Sequence, residues 1–316
     1  MTRRSFLTAL LLIAASIAQA QDAYTSRPIK MIVPYPPGGS SDNAARIVAE
    51  RLSAQLGQPI VVDNRGGAAG TLGAQAAEKE KPDGYTLLLA PTAVFAITPH
   101  LRKVPYEPFG FEPVGLVATA PSIAVVPKDS PVHSIQDYIA LAKKRPGEVT
   151  FGSAGPGSIT QLYGEMLKQR AGINILHVPY KGSAEALTGL LGKQVDIIID
   201  PVALPQAVGG AVRPIAIFGE RRIPELPNVP TIAESGYDID IPSWFGLFAP
   251  KGTPPEIVAK VSAELAKVLK TPDVEQRLLK ANLFAAYLDP AAFAKKLKQD
   301  DQLFGDLIRK IGIKQE

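Results

Sequence analysis

A repeated order of apolar run, small-residue loop and helical stretch constrains this chain more than any other feature. Residues 29–33 form a β-branched run closed by Pro34, and the pattern turns helical over 42–56, with Ala45, Val48, Leu52 and Leu56 on one face. Asp42 is placed to cap that helix and Gly57 to stop it. Strand 60–62, a glycine-rich loop at 66–70, a helix to about Lys79, the Asp83-Gly84 turn and strand 85–89 follow. This order predicts an α/β unit on a parallel sheet.

A second series opens at 123–127. Ser134 caps a helix that ends before Pro146-Gly147, and 149–152 is a strand. Ser158 and Gln161 have capping-box spacing for a helix stopping at Gly172. Strands at 175–178, 195–199 and 215–218 and a helix at 183–191 come next; after 244–248 the pattern stays helical over 255–270, 273–281 and about 290–311. The expected fold is α/β with two open lobes, residues 21–122 and 246–316 forming the first and 123–245 the second. Ligands of open α/β sheets lie beyond the C-terminal strand ends, so the site is expected in the cleft between the lobes.

Residues 1–20 read as a secretory leader, with Arg3 and Arg4, an apolar run over 6–17 and the exit Ala18-Gln19-Ala20. Cleavage is expected before Gln21 and delivery to the periplasm, by a Sec or a twin-arginine route. Two of the four net positive charges belong to this leader. No concentrated basic stripe remains, so nucleic acid is not an expected partner. Lys143-Lys144-Arg145 sits at a helix end, where cations complement the dipole. The chain has no cysteine, which excludes disulfides, thiol catalysis and cysteine-bound metals.

Three loops share one design: 38–41, 66–71 and 153–158 each follow a strand, consist of small residues and lead into a helix. Glycine permits close backbone approach, and the helix start offers free N–H groups to an anion. A carboxylate fits such loops without a lysine or arginine. Gly189-Leu190-Leu191-Gly192-Lys193 lacks P-loop spacing, and no Gly-x-Gly-x-x-Gly opens a helix after the first strand. Catalysis finds no support: there is no Gly-x-Ser-x-Gly elbow, and His100, His133 and His177 are dispersed. His177 reads as a structural hydrogen-bonding group. Asp200, after the run 197–199, is either a turn cap before Pro201 or an acceptor for a ligand.

Several segments in order resemble the periplasmic solute receptors of tripartite tricarboxylate transporters, the Bug or TctC-like family. They are Arg27-Pro28-Ile29, Val33-Pro34-Tyr35-Pro36-Pro37-Gly38-Gly39, Asp63-Asn64-Arg65-Gly66-Gly67 and Pro82-Asp83-Gly84-Tyr85-Thr86-Leu87-Leu88. Phe151-Gly152-Ser153-Ala154-Gly155, His177-Val178-Pro179-Tyr180-Lys181-Gly182, Val229-Pro230-Thr231-Ile232-Ala233-Glu234 and Trp244-Phe245-Gly246 continue the match. The resemblance implies a type II periplasmic-binding fold that closes around a small carboxylate, with no cofactor and no catalytic or metal site. From the first lobe it implies Tyr35, Pro37, Gly38, Gly39 and Ser40, then Ala68, Gly70 and Thr71, then Pro91, Thr92 and Ala93. From the second it implies Ser153, Ala154, Gly155, Gly157, Ser158 and Ile159, with Tyr180 and Asp200. Trp244 and Phe245 either wall the cleft or form a core pair.

Four positions depart from the family's usual pattern: Phe95, Pro156, Ile199 and Pro201. All are apolar, which predicts a monocarboxylate, an aromatic acid or a weakly charged ligand rather than a tricarboxylate. The expected partners are that small organic acid and the permease subunits of a transporter, with the receptor acting as a monomer. The alternative is an orphan sensory receptor that presents ligand to a sensor kinase.

Overall fold

The computed structural model describes residues 24–312 except 220, 240 and 242. The expected leader and its cleavage point lie outside the described residues. Two sheets organise the chain. The first runs β11-β4-β10-β3-β1-β2, with β1 (Ile29–Val33), β2 (Ile60–Asn64), β3 (Thr86–Pro91), β4 (Phe111–Thr119), β10 (Trp244–Pro250) and β11 (Phe284–Leu288). The second runs β7-β6-β8-β5-β9, with β5 (Ser122–Pro127), β6 (Thr150–Ser153), β7 (Leu176–Pro179), β8 (Ile197–Asp200) and β9 (Val212–Phe218).

Neither sheet is purely parallel. β1 pairs parallel with β2 and β3, and β6 with β7 and β8, as the strand–loop–helix order predicts. The strands that follow the two lobe crossings run the other way: β5 is antiparallel to β8 and β9, and β10 to β3 and β4. The crossings are narrow. β4 ends at Thr119 and β5 begins at Ser122, while the returning chain enters β10 at Trp244. The Ala120 N–H donates to the Ser243 carbonyl at 3.0 Å, tying the two crossings together.

Period-two alternation explains why the strands are apolar throughout. Ile29, Met31 and Val33 pack into one core with helix α1 (Ser40–Leu56) and the later helix 255–269, while Ile32 faces another with Phe95, Phe248 and Phe293. In the second lobe Ala124 and Val126 face one layer and Ile123 and Val125 the other. The helices that matter below are α2 (Thr71–Glu78), α3 (Ile135–Lys144), α4 (Ile159–Ala171), α5 (Ser183–Leu191), α6 (Pro255–Leu269), α7 (Pro272–Lys280) and α8 (Pro290–Ile311). Phe293 and Leu297 of α8 pack in the first lobe, but Phe304 and Ile308 join the core of the second. The last helix therefore spans both lobes.

Three local expectations change. Gly39, not Asp42, occupies the N-cap of α1; Asp42 is three residues in and reaches back to the Gly38 N–H at 2.9 Å. β4 and β11 fall in stretches to which the sequence pattern assigns no element. β4 contains Pro113 and Gly115, both poor strand residues, and its pairing with β10 absorbs them through two register shifts. Gly115 fits closely there: a Cβ would lie 3.1 Å from both a Leu265 methyl and the Leu288 carbonyl, so a side chain would press on both. Ser134 and Ser158 cap their helices as expected, accepting from the Asp137 and Gln161 N–H groups.

Candidate functional site

A cavity of about 160 Å³ lies between the lobes. The first lobe contributes the turn before α1, through Tyr35, Pro36, Pro37, Gly39, Ser40 and Ser41, and the end of β3, through Pro91, Thr92 and Ala93. The second contributes Ala154, Ser158, Ile159 and Thr160 at the start of α4, and Gly182, Ser183, Ala184 and Glu185 at the start of α5. Pro201, Ser243 and Phe245 complete the wall. No lysine or arginine lines it among the described residues, and Glu185 is the acid that does. The described residues also hold no cluster of three metal-ligating side chains, and no described helix is long and apolar enough to cross a membrane.

Two helix starts face each other across this space. α1 and α5 begin at Gly39 and Gly182, and neither has a side-chain cap. The first N–H groups of a helix have no intrahelical acceptor, and the aligned peptide dipoles make that end positive. In α1 the Asn43 N–H returns to the Gly39 carbonyl, and in α5 the Ala186 N–H returns to Gly182; the N–H groups at 40–42 and 183–185 precede those first bonds. The Ser40 hydroxyl is buried and unpartnered beside them. Gly38 needs its φ of +83° to make the turn, and its N–H is already taken by Asp42. Burial opposes ionisation of Asp42, but bonds from Arg46, Gly38 and Asn64 outweigh it and hold the carboxyl below its usual range. The turn before α1 is thereby fixed from behind.

The loop at 153–158 is built differently from that expectation. Its donors are consumed within the loop: Ala154 N–H to Thr160 Oγ1 at 2.8 Å, Gly155 N–H to Ser153 Oγ at 3.1 Å, and Gly157 N–H to Gln161 Oε1 at 2.7 Å. Ala154, Ser158 and Ile159 reach the cavity wall, whereas Ser153, Gly155, Gly157 and Gly38 stand behind it. The loop at 66–71 does not reach the cavity either. The Gly70 position packs against Val94 and the Tyr35 ring, and the Tyr35 hydroxyl donates to the Ala69 carbonyl at 3.3 Å. Ala68, Gly70 and Thr71 thus support Tyr35 rather than line the space themselves.

Tyr180 is also set back from the wall. Its ring lies over Gly152 and Gly189, where a Cβ at Gly189 would fall 2.2 Å from the hydroxyl, and that hydroxyl donates to Gln194 at 3.3 Å. Asp200 is buried behind Pro201 and Ser183. Its Oδ1 caps the following turn by accepting from the Val202 N–H at 2.9 Å, while Oδ2 has no hydrogen-bond partner. Burial raises its pKa to about 6, against the lowering influence of the nearby Ser183 hydroxyl and the Val202 N–H. Asp200 is therefore both the turn cap and a carboxyl with one oxygen to spare. His177 has the structural role expected of it: it stacks on Phe151, bonds Ser153 Oγ at 2.6 Å, and burial pulls its pKa down to about 4.

Of the four apolar departures, Pro201 alone lines the cavity. Phe95 is fully buried against Phe111 and Phe248, Ile199 is core, and Pro156 is exposed outside the wall. Phe245 walls the cavity, while its neighbour Trp244 points to the opposite face of β10 and is almost fully buried. The start of α5 escaped the sequence reading, although Pro179-Tyr180-Lys181-Gly182-Ser183 repeats the strand–loop–helix order. With only one glycine it lacked the composition that drew attention to the other loops.

Residues 44–313 match the family described as the tripartite tricarboxylate transporter family receptor. The protein BugT of Bordetella pertussis is 37% identical, with 99% of both chains covered. The solved periplasmic binding protein BugD is 37% identical, covering 93% of this chain and 100% of its own, at a TM-score of 0.88. The R. palustris protein Rpa4515, solved with adipate, is 33% identical over 92% of this chain and 99% of its own, at a TM-score of 0.89. The matched family is described as a receptor family and BugD as a periplasmic binding protein, neither as an enzyme. By this match and these likenesses, the chain belongs to the tripartite tricarboxylate transporter receptor family.

Proposed function

We propose that this receptor captures a small mono- or dicarboxylate in the periplasm and delivers it to the permease subunits of a tripartite transporter. The observation behind this reading is the meeting of two uncapped helix starts, α1 and α5, in one cavity that no lysine or arginine lines among the described residues. Backbone N–H groups at 40–42 and 183–185 supply the donors, with the Ser40 hydroxyl beside them. The adipate of the solved relative supports a ligand of this class. Glu185 in the wall and Asp200 behind it oppose the second and third charges of a tricarboxylate. In this reading Tyr35, Pro37, Gly39, Ser40, Pro91, Thr92, Ala93, Ala154, Ser158 and Ile159 touch ligand. Gly38, Ala68, Gly70, Thr71, Ser153, Gly155, Gly157 and Tyr180 shape the wall from behind.

The reading also divides the chain into lobe 1 (21–122 and 246–316) and lobe 2 (123–245), with the end of α8 bridging them. A thermal-shift and calorimetry screen of aliphatic acids, aromatic acids and citrate tests the ligand class. A mono- or dicarboxylate is expected to bind and citrate to give no shift; micromolar citrate binding with silence from the others contradicts the reading. Cross-linking in cells is expected to trap permease subunits, and trapping a sensor kinase instead contradicts delivery. Sequencing the exported protein is expected to begin at Gln21, and an intact leader contradicts cleavage.

A further inference from the structure

Ser243 borders two cavities. Successive side chains of a strand point to opposite faces, and at the start of β10 Phe245 faces the interlobe cavity while Trp244 faces a second one behind the crossing. This second cavity has a volume of about 330 Å³. Tyr163 and Phe218 wall it from the side of the second sheet, Trp244 and Phe284 from strands of the first, and the crossing residues Ala120 and Pro121 border it. An occupant therefore touches both lobes and the hinge between them.

The described side chains that line it include the cations Arg221 and Lys296 and no Asp or Glu. Lys296 pairs with the buried Asp300 at 3.0 Å, and the same carboxylate accepts the Trp244 indole N–H at 2.6 Å. Asp300 is thus engaged behind the aromatic wall and offsets Lys296. Arg221 makes no ion pair among the described residues; its guanidinium stands 5.4 Å from the centre of the Phe284 ring. A guanidinium with no ion pair among the described residues, beside aromatic walls, suits one carboxylate attached to a flat ring. The fork of the guanidinium donates to both carboxylate oxygens, and the rings pack edge or face against the body. A small hydrophilic anion leaves those walls unfilled, and a cation meets repulsion.

We propose that the hinge cavity is a second binding site, separate from the interlobe cleft, for a small aromatic monocarboxylate held by Arg221 against Trp244 and Phe284. Trp244 is the chain's single tryptophan, so its emission reports directly on this cavity. The test titrates the full chain and its Arg221→Ala variant with para-bromobenzoate by tryptophan fluorescence, and locates the bromine in a soaked crystal by anomalous diffraction. Saturable quenching is expected, weakened about tenfold or more in the variant, with bromine in the hinge cavity. Arg221 is exposed, so the variant is expected to keep the wild-type melting temperature. Bromine found only in the interlobe cleft, or a variant that titrates like the wild type, overturns the proposal. The variant leaves the interlobe cavity untouched, so this failure is distinguishable from failure of the carboxylate screen.

Discussion

Gly39 and Ser183 face one another across the cleft: a Cβ built on Gly39 would stand 3.7 Å from that of Ser183. Each residue belongs to the uncapped start of a helix from a different lobe. The φ of Gly39 is −85°, a value open to any residue, so its glycine is a matter of space and not of backbone geometry.

Gly39→Val is therefore expected to fill the gap between the helix starts while leaving the first lobe folded. Carboxylate affinity should fall roughly ten- to a hundredfold, with the unliganded melting temperature close to wild type. Gly39→Ala, whose methyl meets ordinary contact distance, should lose far less. Calorimetry on both variants checks the order, and equal binding by Gly39→Val removes this turn from the site.

Asp200 makes binding depend on pH. Its folded pKa is raised to about 6 from the usual 3.8 of an aspartate, so the folded state holds a proton that the unfolded chain releases. Its contribution is most favourable to folding below the unfolded value and is lost as pH rises through the folded one, by roughly 2–3 kcal/mol. Asp200→Asn is expected to stabilise the unliganded protein at pH 8 and to change little at pH 4. Carboxylate affinity of the wild type should weaken above pH 6 as the ionised Asp200 repels the ligand, and the variant should flatten that profile. Parallel pH profiles in the two proteins contradict a role for Asp200 near the ligand.

The segment Ala68-Ala69 holds two successive left-handed alanines, with φ of 48° and 56°. Such a conformation costs an L-residue roughly 1–2 kcal/mol, and glycine adopts it freely. Bonds from Tyr35 and Arg102 to the Ala69 and Ala68 carbonyls hold it in place. Ala69→Gly is expected to raise stability in chemical denaturation by about 0.5–1 kcal/mol. A destabilised variant would show that the alanine methyl is needed for packing.

Most of the architecture was legible because the inner strands β1, β3, β5 and β8 are buried on both faces and the helices carry clear stop signals. Gly57 and Gly172 end α1 and α4 in the left-handed region. β4 and β11 were hidden for a physical reason: Pro113 and Gly115 are tolerated through register shifts and contacts with Leu265 and Leu288 that local pattern does not encode. In the site, the loop around Gly38 was legible, but which donors remain free was not. Residues 153–158 look like an open anion loop in sequence, and only the side chains of Thr160 and Gln161 reveal that its N–H groups are spent internally. The α5 start was missed because its contribution depends on how the lobes pack, which sets Gly182 against Pro36.

Asn282 links the hinge to the second lobe. It is fully buried, and its side-chain amide donates to the Pro121 carbonyl at 2.7 Å and to the Pro201 carbonyl at 3.4 Å. Asn282→Ala leaves those carbonyls short of a donor and is expected to cost about 1–3 kcal/mol. Because Pro121 lies at the crossing and Pro201 lines the cleft, carboxylate affinity should fall as well. Denaturation and calorimetry on one sample check both effects, and a stability loss with unchanged affinity confines Asn282 to a structural role.

The crystal structure of the receptor with the carboxylate selected by the screen tests the central claim most directly. Expected is a carboxylate group between the starts of α1 and α5, within hydrogen-bonding distance of N–H groups at 40–42 and 183–185. A carboxylate held by lysine or arginine, or bound outside the interlobe cavity, contradicts it.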